Sequence, residues 1–355
     1  MTEAPRNEAG NRMGISVVVP VFNAEKTVAA CLESLYGQTC KPLEIIVVDN
    51  GSTDGTQAII GEMMHRSKDI PTHCLQETRR GPSFARNRGA FHARGEIIAF
   101  LDADCIADSS WLGRVFQSFD RAEIGAVAGS VIGFDRITAI GKFHALFTMR
   151  VLPSSRLFHE FDLISGGFPT ANLSIRSTLF RSIGGFDETM PIYAEDYDLC
   201  ARIYQSGSQI YFDKRAVVYH QHRQSLKTTW RQSYGFGTGH ATLLKKHFQR
   251  MLIIEMPRWH YLSRRWPLRV WLDIAAADKK FILCLLLTGF WPPFAAVFAL
   301  YLILLYRNMG QRLEQDQIAA DYGEKWALVF LLLFKSLAMT CGRWGGSLAQ
   351  GVLCL

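Results

Sequence analysis

Three short apolar runs organise the first third of the chain, and each of them ends in polar residues. They lie at residues 15–21, 43–48 and 96–101, and the first two are dominated by Val and Ile. Continuous apolar runs of this length, bounded by Pro, Asn or Asp, are typical of strands buried on both faces of a sheet. Helical spacing of apolar residues is seen between and after the runs, at residues 23–36, 53–64, 83–93 and 111–119. This alternation predicts an α/β fold with a Rossmann-like, doubly wound, mostly parallel sheet.

The pattern is less regular in the middle of the chain. Residues 129–185 contain several Gly and Pro breaks and predict no regular element. Further elements are predicted as a helix at 196–205, a short strand at 216–219 and a glycine-interrupted helix at 225–250. Asn23 is predicted to cap the first helix, because Asn side chains accept hydrogen bonds from the first amides of a helix.

From residue 251 onwards the composition becomes that of a membrane-associated segment. Residues 281–306 carry no charged side chain, and this run exceeds the roughly 20 residues that cross a bilayer. The Pro292-Pro293 pair would kink such a span or fold it into a re-entrant hairpin, and a buried helix of a soluble protein is the remaining alternative. Residues 326–341 predict either a second span or an interfacial helix. The predicted regions are a disordered tail at 1–13, a sheet domain at 14–250, and amphipathic and membrane helices at 251–355.

Basic side chains are distributed asymmetrically around the apolar run. The chain has 39 Lys and Arg against 32 Asp and Glu, and several of the basic residues directly precede residue 281. With a polar N-terminus, this asymmetry predicts a cytoplasmic sheet domain at the inner (plasma) membrane and places residues 310–323 on the opposite side. The basic, Trp-rich residues 258–273 are predicted to lie on anionic lipid. Nucleic acid is disfavoured as a partner, because the neighbouring segments are bilayer-like.

Cysteine and glycine patterns exclude several classes of protein. The eight cysteines form no CxxC pair, which disfavours a zinc site of standard spacing. The first strand is followed by PVFNAE rather than GxGxxG, and no GxxxxGK[ST] loop occurs, so neither NAD chemistry nor a P-loop is favoured. By contrast, Asp102 and Asp104 follow the third apolar run. In an extended chain both carboxylates project to one side, where they suit Mg²⁺ or Mn²⁺ bound to a substrate diphosphate.

Six motifs together resemble the inverting family 2 glycosyltransferases of the GT-A fold. They are PVFNAE at 20–25, VVDNGSTDGT at 47–56, RRGPSFARNRG at 79–89, FLDADC at 100–105, GGFDE at 184–188 and EDYDLCAR at 195–202. The resemblance covers about residues 14–240, with the motifs in the family's order and spacing. It implies a nucleotide-sugar donor and a Mg²⁺ or Mn²⁺ cofactor.

The resemblance also implies residues on the donor side. Asp49 matches the family aspartate that contacts the nucleobase, usually uracil. Asn50 occupies the position at which many relatives have a second Asp. The implied nucleotide-binding residues are Pro20, Asn23, Glu25, Asp49, Arg86 and Asp102.

The metal ligands implied by the resemblance come from two motifs. Asp104 would ligate the metal directly, and Asp102 would hold the ribose or a metal-bound water. His220 would complete the metal shell or touch the diphosphate, with His222 as its rival. For either histidine a purely structural role is the alternative.

The acceptor side requires a base, because one carboxylate must take the proton of the attacking hydroxyl. Asp196 matches the family's ED aspartate and is predicted to be this base, with Glu195 as its catalytic neighbour; helix capping is the alternative role of Asp196. A single base predicts direct displacement with inversion. The resemblance implies Gly167 and Asn172 on the acceptor side, with a plain β-turn as the alternative for Gly167. Trp230 is a candidate to gate the acceptor site, with a place in the core as its alternative.

These features predict a membrane-attached enzyme that adds one sugar to a lipid-linked or membrane-proximal glycan, with a UDP-sugar as the favoured donor. The QxxRW sequence of processive synthases is missing, because Gln232 is followed by Ser-Tyr-Gly. The alternatives are a soluble glycan or protein acceptor and a non-catalytic nucleotide-sugar-binding membrane scaffold. Nucleotidyl transfer is disfavoured, since it would require a Gly-rich, basic loop after the first strand, where this chain has PVFNAE.

Overall fold

A computed structural model describes residues 14–66, 69–147, 152–161, 166–221, 225–256 and 260–355. The predicted tail at 1–13 lies outside the described residues. The chain divides into two compact units, one formed by Met1–Ile132 and Arg150–Gln221 and the other by Gly133–Met149 and His222–Leu355. This division falls at Gln221, whereas the sequence predicts a boundary at residue 250.

Strands and helices alternate along the described part of the chain. The strands are β1 (Ile15–Val21), β2 (Glu44–Asp49), β3 (Thr72–Gln76), β4 (Ile97–Phe100), β5 (Cys105–Ala107), β6 (Ile124–Gly133), β7 (Arg156–Phe158), β8 (Leu173–Arg176), β9 (Gln209–His220), β10 (Met251–Glu255), β11 (His260–Ser263), β12 (Arg269–Asp273) and β13 (Leu353–Cys354). The helices are α1 (Val28–Tyr36), α2 (Thr56–Arg66), α3 (Pro82–His92), α4 (Trp111–Ser118), α5 (Ala139–Phe147), α6 (Ser177–Ser182), α7 (Glu195–Gln205), α8 (Leu226–His247), α9 (Ala277–Phe290), α10 (Ala295–Gln315) and α11 (Tyr322–Gln350).

The first unit is built on a mixed sheet. Strands β3, β2, β1 and β4 pair in parallel in that order, as the three apolar runs predict. Antiparallel strands extend the sheet beyond β4: β8 pairs with β4 and β6, and β9 pairs with β5 and β7. Val17, Val18 and Val19 of β1 and all of β2 are buried, which is typical of strands with covered faces. The predicted α/β fold is confirmed.

Two expectations for residues 14–221 differ from the structure. Helix α1 begins at Val28, and Asn23 lies upstream in a left-handed backbone conformation (φ 49°) rather than as its N-cap. Residues 129–185, for which no element is predicted, contain the end of β6 together with α5, β7, β8 and α6. Three glycines and a serine interrupt the apolar residues of β6, so its composition hides a buried strand.

The second unit contains a small sheet where only helices are predicted. Strand β10 pairs antiparallel with β11 and parallel with β12, and β12 pairs in parallel with β13. The expected all-helical region at 251–355 is therefore wrong for residues 251–273. Ile253, Ile254, Val270 and Trp271 are residue types that favour strands, and the backbone pairing with the C-terminal β13 is a long-range contact that no local pattern reveals.

Apolar helices follow this sheet. The predicted uncharged run at 281–306 is split between α9 and α10, with the break at Pro292–Phe294. Two helical segments, Pro292–Gln315 and Tyr322–Gln350, are long and apolar enough to cross a membrane by length and composition alone.

Helices α8 and α11 pack backbone to backbone through glycines. A Cβ added at Gly342 of α11 would lie 2.0 Å from the Tyr234 carbonyl oxygen of α8, and one added at Gly237 of α8 would lie 2.1 Å from the Met339 carbonyl oxygen. The glycines that interrupt the predicted helix at 225–250 therefore permit this close approach, and α8 continues through them.

Replacing Gly342 with alanine should separate these helices. We expect Gly342→Ala to lower the free energy of unfolding by about 1–3 kcal/mol, because a methyl group is forced into a filled contact. Thermal or denaturant unfolding measures the loss. The matched control is Gly310→Ala in α10, where the nearest atom to an added Cβ is the Lys325 Nζ at 3.9 Å; helix propensity should make this variant neutral or slightly more stable. Equal effects of the two substitutions would contradict the packing argument.

Candidate active site

The loops after β1 and β2 are joined by hydrogen bonds from backbone amides to side chains. Asn23 Oδ1 accepts a 2.8 Å hydrogen bond from the Thr53 amide, and Glu25 Oε2 accepts a 3.0 Å hydrogen bond from the Gly55 amide. Both side chains remain exposed, while Pro20 is half-buried within β1. Pro20, Asn23 and Glu25 therefore lie together at the C-terminal edge of the parallel strands, where open α/β sheets bind ligands.

Asp49 closes β2 with both of its carboxylate oxygens engaged. Oδ1 accepts hydrogen bonds from the Ser52 amide (3.0 Å) and hydroxyl (2.6 Å), and Oδ2 accepts one from Gln57 Nε2 (2.6 Å). Burial raises the pKa of Asp49, but these hydrogen bonds outweigh burial and hold the pKa below its ordinary value. The residue has no exposed surface. A contact between Asp49 and a nucleobase therefore requires this loop to move.

Asn50 uses both halves of its amide group. Nδ2 donates hydrogen bonds to the carbonyls of Glu77 (2.9 Å) and Arg79 (2.7 Å), and Oδ1 accepts one from the Gly81 amide (2.9 Å). An ionised carboxylate has no proton to donate to these carbonyls. Asn50 therefore holds the loop before α3 against the end of β2, a role that an aspartate at this position would not fill.

Arg86 of α3 connects two of the predicted motifs. Its Nη2 lies 2.9 Å from Asp102 Oδ1, and its Nη1 lies 3.0 Å from Glu195 Oε1. The Arg86 side chain is 7% exposed and that of Asp102 is 27% exposed, so the guanidinium is buried while Asp102 still reaches the surface. From the sequence, Arg86 is predicted to bind the nucleotide, and its ion pairs with Asp102 and Glu195 are not predicted. The opposite charges of the RRGPSFARNRG and EDYDLCAR motifs are the sequence feature that could have indicated the pair with Glu195.

A tight turn separates the two aspartates of the FLDADC motif. The Cys105 amide donates a 3.0 Å hydrogen bond to the Asp102 carbonyl, so residues 102–105 turn instead of remaining extended. Because of this turn the two carboxylates have different neighbours. Asp102 contacts Arg86, whereas Asp104 lies beside His220, whose Nε2 is 3.4 Å from Asp104 Oδ1. This second proximity follows from the strand register, in which Cys105 of β5 pairs with His220 of β9.

The residues around Asp104 suit a divalent cation. Among the described residues, potential ligand atoms of Asp104, Cys105 and His220 lie within 4.8 Å of one another. The Asp104 side chain is 35% exposed and can meet a ligand from solvent, whereas Cys105 is fully buried. A carboxylate and an imidazole are compatible with Mn²⁺ or Mg²⁺, which prefer oxygen ligands and complete their shells with water or phosphate. The donor set therefore fits the implied ion, with Asp102 outside this immediate cluster.

Asp196 is at the start of α7 in a position that favours a proton acceptor. Desolvation, together with the negative charge of Glu195, raises the pKa of Asp196 to about 7. Its Oδ1 accepts a 2.9 Å hydrogen bond from the Tyr197 amide. A base works best when its pKa lies near the operating pH, because it is then both ionised and able to hold a proton. Asp196 meets this condition, while Glu195 is occupied by Arg86.

The raised pKa predicts the pH dependence of turnover. A base must be ionised to accept a proton, so kcat should be low below pH 7 and should rise as pH increases through about 7. Glu195→Gln removes one of the charges that raise the pKa of Asp196 and should move this acidic limb to lower pH. A pH–rate profile of both proteins measures the shift. An acidic limb at the same pH in the variant would contradict the proposed influence of Glu195.

The predicted acceptor residues have different surroundings. A Cβ added at Gly167 would lie 2.2 Å from the ring of Tyr197, so glycine is required for the tyrosine next to Asp196 to pack there. Asn172 is buried; its Oδ1 accepts a hydrogen bond from Trp111 Nε1, and its Nδ2 donates to the carbonyls of Ser130 and Ala216. Asn172 thus connects neighbouring strands of the sheet, while Gly167 shapes the surroundings of Asp196. Tyr197 itself was not singled out from the sequence.

The remaining predicted acceptor residue belongs to the other unit. Trp230 belongs to the second unit, where its ring lies 5.1 Å from that of Phe334 of α11. His222 lies outside the described residues. Among the described residues, His220 is therefore the late histidine that the strand pairing brings to Asp104.

Known proteins are similar to this chain along most of the first unit. Residues 16–184 match the family described as Glycosyl transferase family 2. A pre-mycofactocin glycosyltransferase of Mycobacterium tuberculosis is 28% identical over 253 residues, which cover 68% of this chain and 50% of that protein. The chain therefore spans about half the length of this relative. A glucosyl-dolichyl phosphate glucuronosyltransferase of Haloferax volcanii is 27% identical over 222 residues, which cover 59% of this chain and 69% of that protein.

A solved structure supports the fold. The mannosyltransferase PcManGT from Pyrobaculum calidifontis, in complex with GDP-Man and Mn²⁺, superimposes with a TM-score of 0.55 at 17% identity and covers 94% of this chain and 86% of its own. This superposition shows that the fold is similar as well as the sequence. Residues 16–184 therefore resemble a glycosyl transferase family 2 domain, and the sheet that they contribute to has the GT-A fold.

Proposed function

We propose that the protein transfers a single sugar, with inversion, from a nucleoside-diphosphate sugar to a lipid-linked or membrane-proximal glycan, with a divalent metal ion as cofactor. The bridge formed by Arg86 carries this proposal. One guanidinium joins Asp102 of the donor-side turn to Glu195, the neighbour of the candidate base. The donor-binding edge and the proton acceptor are thereby held at one place in the fold, as a displacement reaction requires.

The roles of the residues follow from their surroundings. Asp104 and His220 would hold the ion, which supplies positive charge to stabilise a departing diphosphate. Asp196 accepts the proton of the acceptor hydroxyl, since its pKa of about 7 is suited to that task. Glu195 and Arg86 position Asp196 and Asp102 relative to each other. Attack assisted by one base, with no residue of the chain bonded to the sugar, gives inversion at the anomeric carbon.

The similar proteins support the donor and acceptor classes. PcManGT binds GDP-Man with Mn²⁺, in agreement with a nucleotide-sugar donor and a divalent ion. The Haloferax volcanii relative is named for a sugar-loaded dolichyl phosphate, in agreement with a lipid-linked acceptor. The apolar helices of the second unit favour such an acceptor, because they would keep the enzyme at a membrane. We further propose that the first unit faces the cytoplasm at the inner membrane.

A donor screen tests this function. The full chain, purified in detergent, is incubated with UDP- and GDP-sugars in turn, with a membrane lipid extract as acceptor and with Mn²⁺ or EDTA. We expect one donor to release its nucleoside diphosphate in the presence of Mn²⁺ and lipid, and release to stop with EDTA. The UDP-sugars are the favoured class.

The screen also separates an enzyme from a scaffold. Calorimetry on the same donors measures binding independently of turnover. Tight donor binding without any nucleotide release, across all donors and with Mn²⁺ and lipid present, would contradict catalysis and indicate a binding protein.

A further inference from the structure

Helices α9 and α10 form an antiparallel hairpin. The hydroxyl of Tyr301, one third of the way along α10, donates a 2.8 Å hydrogen bond to the carbonyl of Ala277, the first residue of α9. Farther along the pair, the rings of Phe281 and Phe298 lie 5.1 Å apart. The chain therefore turns back on itself at residues 291–294. Lys280, at the start of the uncharged run, and Arg307, just after it, lie at the same end of the hairpin.

The hairpin is too short to cross a bilayer. The uncharged part of α9, from Phe281 to Phe290, is ten residues long, which corresponds to about 15 Å at the helical rise per residue. The hydrocarbon core is about 30 Å thick. The tip is apolar and exposed, with Phe290 at 89% and Trp291 at 57%. A hairpin inserted from one side would therefore end near the middle of the bilayer.

Helix α11 lies along a polar helix for most of its length. Its Phe334 contacts Trp230, its Gly342 contacts Tyr234 and its Gly346 contacts Ala241, so α11 runs in the same direction as α8. Helix α8 has charged side chains near both of its ends, at Lys227, Arg231, Lys245 and Lys246. Only 13 residues separate Arg231 from Lys245, about 20 Å of helix at 1.5 Å per residue, which is less than the roughly 30 Å thickness of the hydrocarbon core. Helix α11 cannot cross the core while it remains packed on α8.

The charged residues of α11 support the same conclusion. Arg343 is 3% exposed, and its Nη1 lies 2.8 Å from Asp273 Oδ2, while Lys335 donates a hydrogen bond to the Phe147 carbonyl. These groups face the protein. The opposite face of α11 is apolar and exposed and consists of Trp326, Phe330, Leu337, Trp344 and Leu348. A helix with one protein-facing polar side and one bare apolar side is typical of the membrane interface.

The end of the chain returns to the start of the hairpin. The Leu355 amide donates a 2.8 Å hydrogen bond to the Trp271 carbonyl, and β13 pairs with β12. Residues on both flanks of the apolar helices therefore belong to one sheet and lie on one side of any membrane.

On the basis of the membrane association proposed above, we propose that the second unit is monotopic. The α9–α10 hairpin inserts into one leaflet of a bilayer and returns, and α11 lies in the interface with its apolar face towards the lipid. The basic loop that connects β11 to β12, with exposed Arg264, Arg265 and Trp266, complements anionic lipid headgroups. Residues 310–323, predicted from sequence to lie on the opposite side, are then on the same side as the first unit.

Cysteine labelling tests this topology in cells that express the full chain. Gln315→Cys places a thiol at the exposed end of α10, and Gln117→Cys places one on the exposed surface of α4 in the first unit. A membrane-impermeant maleimide is added to intact and to permeabilised cells, and the labelling of the parent chain, with its eight native cysteines, is subtracted. We expect both positions to be labelled under the same condition. Labelling of the two positions under opposite conditions would overturn the proposal.

A second measurement addresses the depth of the hairpin. A fluorophore on Phe290→Cys should be quenched most strongly by lipids whose quenching group lies near the bilayer centre; maximal quenching from the far headgroup region would overturn the proposal.

Sedimentation with anionic vesicles measures membrane binding independently of the proposed enzymatic function. Leu286→Glu, at a 66% exposed position of α9, should release the protein from the vesicles, whereas Leu43→Glu, at a 44% exposed position of the first unit, should not. Metal-dependent nucleotide release is measured independently and should persist in detergent for Leu286→Glu.

Discussion

Asp196→Asn should reduce kcat by about 10³-fold while leaving the affinity for the donor within about threefold. The amide is nearly isosteric with the carboxyl group but cannot take a proton, and loss of a positioned base typically costs 10²–10⁴-fold in rate. Asp196 has no ion-pair partner of its own in the described residues, whereas its neighbour Glu195 is held by Arg86. The donor-side contacts should therefore survive the substitution. Steady-state turnover and donor calorimetry on the same preparation measure the two effects separately.

The control for this variant is Asp120→Asn, the same chemical change at an aspartate whose side chain is 67% exposed. This variant should retain full activity. A second control is the pH profile: the residual activity of Asp196→Asn should lose the acidic limb near pH 7. Full activity of Asp196→Asn, or an unchanged acidic limb, would remove Asp196 from the role of base.

Asp104→Ala should abolish the response to metal and should lower turnover by at least about 100-fold. The side chain is exposed enough to bind an ion, and the pairing of the next residue, Cys105, with His220 holds Asp104 beside that histidine. Without the carboxylate the remaining imidazole is a weak site for a hard cation, and the charge of the departing diphosphate is left unbalanced. Titration of Mn²⁺ into the protein, followed by electron paramagnetic resonance, measures the lost affinity in the absence of turnover.

The matched variant keeps the charge. Asp104→Glu retains a carboxylate and should recover part of the Mn²⁺ affinity, whereas Asp120→Ala should bind Mn²⁺ as the parent does. Removal of the ion from the parent protein with EDTA should reproduce the activity loss of Asp104→Ala. Unchanged Mn²⁺ affinity in Asp104→Ala would place the ion elsewhere.

The sequence predicted the parallel half of the sheet because its strands carry their own signal. Strands β1, β2 and β4 are continuous apolar runs, and the polar residues that end them predicted the ligand-binding edge. The edge strand β3 was not predicted. Its sequence, THCLQ, is largely polar and partly exposed, so it has no apolar run to recognise.

Long-range pairing accounts for most of what the sequence did not predict. The proximity of Asp104 and His220 depends on the register of β5 and β9, which are more than 100 residues apart. The bridge from Arg86 to Glu195 likewise joins positions 109 residues apart. A motif identifies such residues individually, but their pairing is decided by the packing of the sheet and helices around them.

The second unit shows the same limitation for membrane segments. Composition correctly indicated apolar helices and a break at the Pro292-Pro293 pair. It left open whether the run is kinked or folded back, and the contact between Tyr301 and Ala277 supports a folded-back hairpin. The strand-forming tendency of residues 251–273 was overlooked, because their charges and tryptophans also suit an amphipathic helix.

The most direct test of the central claim is anomalous diffraction from crystals soaked with Mn²⁺ and the nucleoside diphosphate of the donor identified in the screen. The account predicts a manganese peak about 2 Å from a carboxylate oxygen of Asp104, in contact with the diphosphate, and on the same edge of the sheet as Asp196. A bound diphosphate with no manganese at Asp104, or with its manganese held by other residues, would contradict it.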